Sequence, residues 1–247
     1  MARALIPVAL TPQLQYCLDA LPSGAAVLDV GCAGWKLQGA RPDLAHHGCD
    51  LEDTSAPSGA IFEICNIDHS PLPWPDDSFD LVVASHLIEH LRHPIKAFEE
   101  IVRVCKPEGH IYLEMPSDRS AQVSIRNAGI AGFYNFWDDP THQRPWSPRS
   151  IFRLMVGCNC FPVETDYIGG KLLDRIWAAL EKLRYHLTRD DDRFTYHWWR
   201  AKQFICFGIG RKPASARGKQ PFHYVSLKGK TTEEVIENLE KRNGLSE

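Results

Sequence analysis

The sequence predicts an α/β protein: an open, seven-stranded, mostly parallel sheet with helices on both faces. Two patterns carry the expectation. Apolar runs of strand length alternate with stretches of helical periodicity, the order that builds a sheet from crossover units. Those runs also lack strict alternation of apolar and polar residues, as strands covered on both sides do.

In chain order, AAVLDV at 25–30, HHGCDL at 46–51, AIFEICN at 60–66 and FDLVVAS at 79–85 read as the first four strands. Only 15 residues separate Gly34 from Asp50, with Pro42 among them, so the first crossover helix is expected to be short or irregular. From His93 to Cys105 a helix puts Ile95, Phe98, Ile101, Val102 and Cys105 on one stripe, and Pro107 and Gly109 stop it. HIYLEMP is the fifth strand. Residues 117–150 then form an insertion of weak periodicity, rich in aromatics and turn formers, and long segments of this kind in a compact domain usually carry function. Ser147 and Pro148 suit the cap and first position of the helix SPRSIFRLMVGCN. FPVETDYIG is strand six. A helix over 171–189 follows, with Leu172, Ile176, Ala179, Leu180, Leu183 and Leu187 on one face and Lys182, Arg184 and Arg189 on another. TYHWWRAK, from Thr195, reads as a packed amphipathic edge. QFICFGIGRK, from Gln203, is the last strand, expected to be antiparallel. Residues 1–212 are one domain, and 213–247 are a linker followed by a Thr-capped helix from Thr231 that stops at Gly244.

A chain of 247 residues with 44% hydrophobic content suffices for one α/β domain with additions. A net charge of −3 argues against a general polyanion-binding surface, so nucleic acid is not the expected partner. The eight cysteines lack paired CxxC spacing and sit mostly in apolar runs, which reads as reduced core thiols. The N-terminus has no long apolar core before a small-residue cleavage site, and no run approaches the ~20 apolar residues of a membrane span. The expectation is a cytoplasmic protein, monomer or homodimer, without a transmembrane segment.

The most informative stretch is VLDVGCAGW. An apolar strand carrying Asp29 runs into Gly31, Cys32, Ala33 and Gly34, small residues that let backbone approach a ligand closely. Asp50 lies at the separation, roughly 20 residues, that places a carboxylate on a ribose in nucleotide-binding units. GCAGWK is shorter than the dinucleotide fingerprint. Here the chain resembles the class I S-adenosylmethionine-dependent methyltransferases, a Rossmann-like family, and within it the type 11 branch of bacterial polysaccharide and glycosylation gene neighbourhoods. The resemblance continues through NIDHSPLPWPDDSFDLVVASHLIEHLRHPIKAFEEIVRVCKPEGHIYLEMP at 66–116, which follows the branch's Asp, LPFPDxSFD, EHxxxP and RVLKPGG-like motifs in order. The chain departs from it at GCAG and KPEG.

The resemblance implies S-adenosylmethionine as cofactor and S-adenosylhomocysteine as product. It implies that Asp29 and the backbone of Gly31 to Gly34 surround the methionine part, that Asp50 takes the ribose hydroxyls and that Leu51 packs on adenine. Asp68 would accept the adenine amino group, Asn66 and Ile67 would line the same slot, and Ser85 would offer its carbonyl to the methionine amino group. For Asn66 and Ser85, turn chemistry is the plainer account.

A hydroxyl acceptor must lose a proton, which calls for a base or a metal. His86, Glu89 and His90, read as one helical face after strand four, and His142 from the insertion are the candidates, at the carboxyl ends of the strands where ligands bind in such sheets. His142 is read as the base, with His90 or Glu89 orienting it. The alternative is a divalent metal, not favoured: HxxEH stands where the ubiquinone-pathway and small-RNA 2′-O-methyltransferases carry ExxEH, and with His142 the set suits zinc, iron or nickel. His90 satisfying a carbonyl is the purely structural account. Arg144, Trp146, Trp137, Tyr134 and Phe136 suit a carbohydrate-like or small natural-product acceptor, through stacking and bidentate hydrogen bonds. The expected reaction is O-methylation of such an acceptor. A phenol, an RNA ribose or a non-catalytic cofactor-binding role are the other readings.

Overall fold

The computed structural model describes residues 10–123, 135–188 and 191–214. Seven strands form one sheet in the order β3-β2-β1-β4-β5-β7-β6, where β1 is Ala26–Val30, β2 Ala45–Asp50, β3 Ile61–Ile64, β4 Phe79–Ser85, β5 Cys105–Pro116, β6 Phe161–Tyr167 and β7 Ile205–Arg211. β1 to β5 pair in parallel, and β7 runs antiparallel to both β5 and β6. The seven expected strands and the reversed last one are therefore present. The order reverses between β1 and β4, which opens a crevice at their carboxyl ends.

Among the described residues, six α-helices accompany the sheet: α1 Pro12–Asp19, α2 Lys36–Ala40, α3 Pro94–Val104, α4 Pro148–Gly157, α5 Leu172–Thr188 and α6 Asp191–Lys202. α2 has only 5 residues, the short crossover that Pro42 and the tight spacing require. α3 and α4 begin with proline at the first turn, and Ser147 caps α4 reciprocally with Ser150. α3 differs in detail from its sequence reading. Ile95 faces solvent, and Ala97 and Val104 complete the buried face with Phe98, Ile101 and Val102.

The core lies on both faces of the sheet. One cluster gathers α3, α4 and the central strands around Phe98, Ile111, Leu113 and Met155; the other packs α1, Phe204 and Phe207 against the opposite face around Tyr112. Trp146, expected among the acceptor-side rings, is instead buried in the first cluster as a packing residue. Seven cysteines are buried and Cys65 is half-buried, all unpaired. Burial pushes thiols such as Cys32 up to about 11, which keeps them protonated.

The region between β6 and β7 departs most from the sequence reading. Helix α6, not expected as a helix, pairs with α5 in an antiparallel hairpin held by Arg200 Nε to Asp174 Oδ1 at 2.7 Å and by Phe194, Tyr185 and Trp198. The leucine face of α5 is exposed, and the buried α5 positions are Asp174, Ala178 and Glu181. The terminal helix from Thr231, and Tyr134 in the insertion, lie outside the described residues. Among those described, no helix is long and apolar enough to cross a membrane.

Candidate active site

The crevice is floored by the turn after β1. Gly31 adopts φ +83°, which a side chain disfavours, and its N–H reaches the carbonyl of Cys49 at 2.8 Å. Cys32 is buried under the turn, and Trp35 donates from Nε1 to Thr54 Oγ1 at 3.0 Å. Gly48 on β2 is the second indispensable glycine, because an added Cβ would lie 2.6 Å from Cys32 Sγ and 2.8 Å from the Trp35 ring. The backbone thus lies bare where Ala33 and Gly34 pass, next to the acidic residues on β1 and β2.

Asp29 sits on β1 with its carboxyl pushed up to about 7. Burial is the main cause, Lys36 opposes it and the Asp50 charge adds to it. Asp50 ends β2, where its Oδ1 accepts the Leu51 amide at 2.7 Å and the Leu51 side chain is 63% exposed. Asn66 organises the next turn by accepting the Asp68 amide on Oδ1 at 3.1 Å. Ile67 is buried in the core, so a ligand in that slot would meet its backbone more than its side chain. Asp68 is more committed than the sequence indicated. Its two oxygens accept the amides of His93 at 2.7 Å and Arg92 at 3.1 Å, just ahead of α3. Burial alone would raise its pKa, but these bonds hold it below the usual carboxylate range.

The catalytic candidates divide into two groups. The shared helical face expected of His86, Glu89 and His90 does not form, because His86 adopts φ +54° and only Ile88–His90 make a 3₁₀ turn. His86 turns toward β5 and lies with Nδ1 3.4 Å from Glu89 Oε1 and Nε2 3.6 Å from Glu114 Oε1. Burial disfavours its charge, yet these two carboxylates win and hold it cationic, with a pKa of about 10. Glu114 is further bound on Oε2 by Thr11 Oγ1 at 2.9 Å and by the Tyr112 hydroxyl at 2.5 Å. Ser85, at the end of β4, pairs with Glu114 in register and donates from Oγ to its Oε1 at 3.5 Å. An acid inside the apolar run HIYLEMP was the one sequence signal for Glu114; Thr11 gave none.

The second group is Glu89, His90 and His142. Each offers one ligand atom, and the three atoms lie within 4.8 Å of one another. His142 Nδ1 lies 2.6 Å from the Phe136 carbonyl, which can only accept, so Nδ1 carries a proton and, in the neutral imidazole, the lone pair is on Nε2. His90 Nδ1 lies 2.8 Å from Thr141 Oγ1, whose hydroxyl donates onward to Asp139 Oδ1 at 2.5 Å. That hydroxyl proton is committed to a carboxylate, so His90 also carries its proton on Nδ1. Burial is the first reason the His90 pKa lies below its ordinary value. Glu89 is fully buried, and neither oxygen has a hydrogen-bond partner; its Oε1 is 3.9 Å from His90 Nε2. Arg144 is exposed, 5.8 Å from the Trp146 ring centroid, and Trp137 is exposed beside buried Phe136.

Comparison with known proteins settles the family. A family model described as a methyltransferase domain matches residues 2–163. A tRNA (carboxymethyluridine(34)-5-O)-methyltransferase from Arabidopsis thaliana is 31% identical over 125 residues, which cover 46% of this chain and 30% of that protein, so the chain spans under a third of that relative's length. Among solved structures, a chain of the complex between the Haloferax volcanii Trm112 methyltransferase activator and a methyltransferase aligns with TM-score 0.59 and 20% identity, covering 81% of this chain and 88% of that one. Phosphoethanolamine N-methyltransferase 2 of Haemonchus contortus, solved with S-adenosyl-L-methionine, aligns with TM-score 0.58 and 16% identity, covering 82% and 53%. Both structures share the fold. A bare glycine turn at the switch point of the sheet, with two carboxylates beside it, fits an S-adenosylmethionine pocket, and the chain belongs to the methyltransferase-domain family.

Proposed function

We propose that the chain moves the sulfonium methyl group to an oxygen of a carbohydrate-like or small natural-product acceptor, with the Glu89, His90 and His142 cluster assisting removal of the hydroxyl proton. The observation that supports this is the direction of the Nδ1 protons: both imidazoles use Nδ1–H toward fixed acceptors, and each Nε2 makes no hydrogen bond, its nearest acid being Glu89 Oε1 for His90 and Asp139 Oδ2 for His142, both at 3.9 Å. A neutral imidazole with a free lone pair near neutral pH is a competent base, and such assistance is typically worth ~10² to 10⁴ in rate. Positioning of donor and acceptor supplies more, about 7 to 11 kcal/mol.

In this reading Asp29 meets the donor's ammonium, the backbone of Gly31, Cys32, Ala33 and Gly34 surrounds its methionine part, and Asp50 takes the ribose hydroxyls. Leu51, Asn66, Ile67 and Asp68 border the adenine, and the Ser85 carbonyl adds a contact to the ammonium. Arg144 and Trp137 supply an exposed bidentate donor and an exposed ring for the acceptor. The test is mass spectrometry of products from a panel of glycosyl, phenolic and tRNA acceptors. Methylation of nitrogen or carbon alone would reject the reading, and methylation of tRNA alone would replace its acceptor class.

A second reading uses the same cluster. Glu89, whose oxygens have no hydrogen-bond partner and whose charge is met by the His86 ring at 3.4 Å, offers one oxygen beside the His90 and His142 imidazoles, and one oxygen with two nitrogens suits a zinc-like ion. Full turnover after exhaustive chelation, together with metal-free protein by elemental analysis, would remove it.

A further inference from the structure

Helix α5 carries its acids inward and its large apolar side chains outward. Asp174 and Glu181 are buried; Asp174 pairs with Arg200, and Glu181 pairs with Arg184 Nε at 2.5 Å and Arg193 Nη2 at 3.1 Å. Leu172, Ile176, Leu180, Leu183 and Leu187 form the outer stripe, with Leu187 82% exposed, and Trp177 stands beside them at 48%. At about 100° per residue, Lys171, Arg175, Lys182 and His186 fall in one row along a single flank of that stripe, and all four are exposed. These two acids are the only ones in Leu172–Thr188, so the outer surface of α5 is apolar and basic with no negative side chain.

We propose that this surface docks on an anionic lipid bilayer, with the leucine stripe at the boundary of headgroups and acyl chains and the basic row over the phosphates. An apolar stripe of this length on a helix that could have turned it inward marks an interaction site. With 17 residues and charges along one side, α5 is suited to lie in the interface rather than to span. Two other occupants fit less well. A second copy would bring two basic rows together. The acidic run after Thr231 complements the charge, but its stripe of Val235, Ile236 and Leu239 covers about one helical turn, against roughly 22 Å from Leu172 to Leu187. A bilayer is both negative and long enough.

The position of the hairpin gives docking a consequence. β6 runs parallel to β5, so α5 leaves the sheet at the same carboxyl edge as the candidate active site. Tyr167 at the end of β6 donates to Asp118 Oδ1 at 2.8 Å, and Ser117 Oγ donates to the Gln203 carbonyl at 2.6 Å, which ties that edge to both feet of the hairpin. The docking holds whatever the acceptor is.

The test is co-sedimentation of the full chain with phosphatidylcholine vesicles and with vesicles containing phosphatidylglycerol, at low and high salt. Binding to the anionic vesicles alone, weakened by salt, is the expected result. Leu180→Asp with Leu183→Asp should weaken it at least about tenfold, since both leucines lose their apolar contact and two negative charges face the anionic headgroups. Circular dichroism melts should be unchanged, because both positions are exposed. Arg175→Glu with Lys182→Glu should abolish the preference for anionic lipid. Absence of binding to anionic vesicles overturns the proposal, and so does undiminished binding by the leucine variant. A dimer by light scattering that the leucine variant dissociates, with no vesicle binding, would assign the stripe to a second copy instead.

Discussion

The imidazoles of His90 and His142 face each other with ring centroids 4.8 Å apart, although they come from opposite sides of the 3₁₀ turn after β4 and the insertion after β5. Each is held by its outward nitrogen, His90 on Thr141 and His142 on the Phe136 carbonyl. The Phe136 ring also packs on His142 at 4.4 Å, and the Gln143 amide donates to the Glu89 carbonyl at 2.8 Å, which ties the insertion to the turn. Two rings oriented this way are prepared to accept protons or a cation, not to donate.

His142→Ala should lower turnover on a hydroxyl acceptor by about 10² or more while donor affinity stays within a few fold. Isothermal calorimetry with S-adenosylhomocysteine and single-turnover kinetics check the two halves separately. Unchanged turnover would reject His142 as the assisting group.

Thr141→Val removes the acceptor that fixes the His90 tautomer but leaves ring, fold and donor pocket in place. A fall in kcat of about tenfold with an unaltered thermal midpoint is expected, on the scale seen when groups that orient a functional histidine are lost. Asp139→Asn should act in the same direction, because its carboxylate holds the Thr141 hydroxyl.

Donor binding should tighten as pH rises from 6 to 8. The Asp29 pKa of about 7 in the free protein is raised mainly by burial, and the cationic ammonium of a donor favours the ionised carboxylate, so binding releases a proton near neutrality. Asp29→Asn should weaken binding and flatten this dependence. The raised folded pKa means that free-protein stability falls as pH climbs from the ordinary carboxylate value, 3.8, toward 7. The Asn variant should therefore be the more stable free protein at pH 8, as measured by urea denaturation.

His86 supplies a stability term of the opposite form. Its folded pKa of about 10 exceeds the ordinary 6.5, so its contribution is complete below pH 6.5 and fades as pH rises through 10. Glu114, held below its ordinary 4.5, contributes above that value and loses its contribution at acid pH. The stability difference between the native chain and His86→Gln should accordingly be larger at pH 6 than at pH 10. Equal differences at both would show that His86 is not held cationic.

Gly48→Ala should destabilise by about 1 to 3 kcal/mol, the usual cost of forcing an extra methyl into packed surroundings. The clash meets Cys32 and Trp35, which floor the glycine turn, so donor affinity should fall with it.

Seven strands and the short α2 were legible in the residues because each depends on local pattern, apolar runs, a proline and a capped helix start, whereas the reversed last strand was expected from the fold class. The Gly31 turn and the strands that carry Asp29 and Asp50 were legible for the same local reason, since they follow from backbone conformation and strand ends. The meeting of His142 with His90 and Glu89 was expected from the placement of such groups at the carboxyl ends of the strands, yet the orientation of the rings was not, because it depends on how a segment that starts after β5 returns to the turn after β4. The protonation pattern is a property of partners far along the chain, Thr141 for His90 and Glu114 for His86. Helix α5 shows the limit most clearly. Periodicity locates its leucine stripe but is silent on which side meets the protein, and here Arg200 and Arg193 of α6 pair with Asp174 and Glu181, so the acids face inward and the leucines face out.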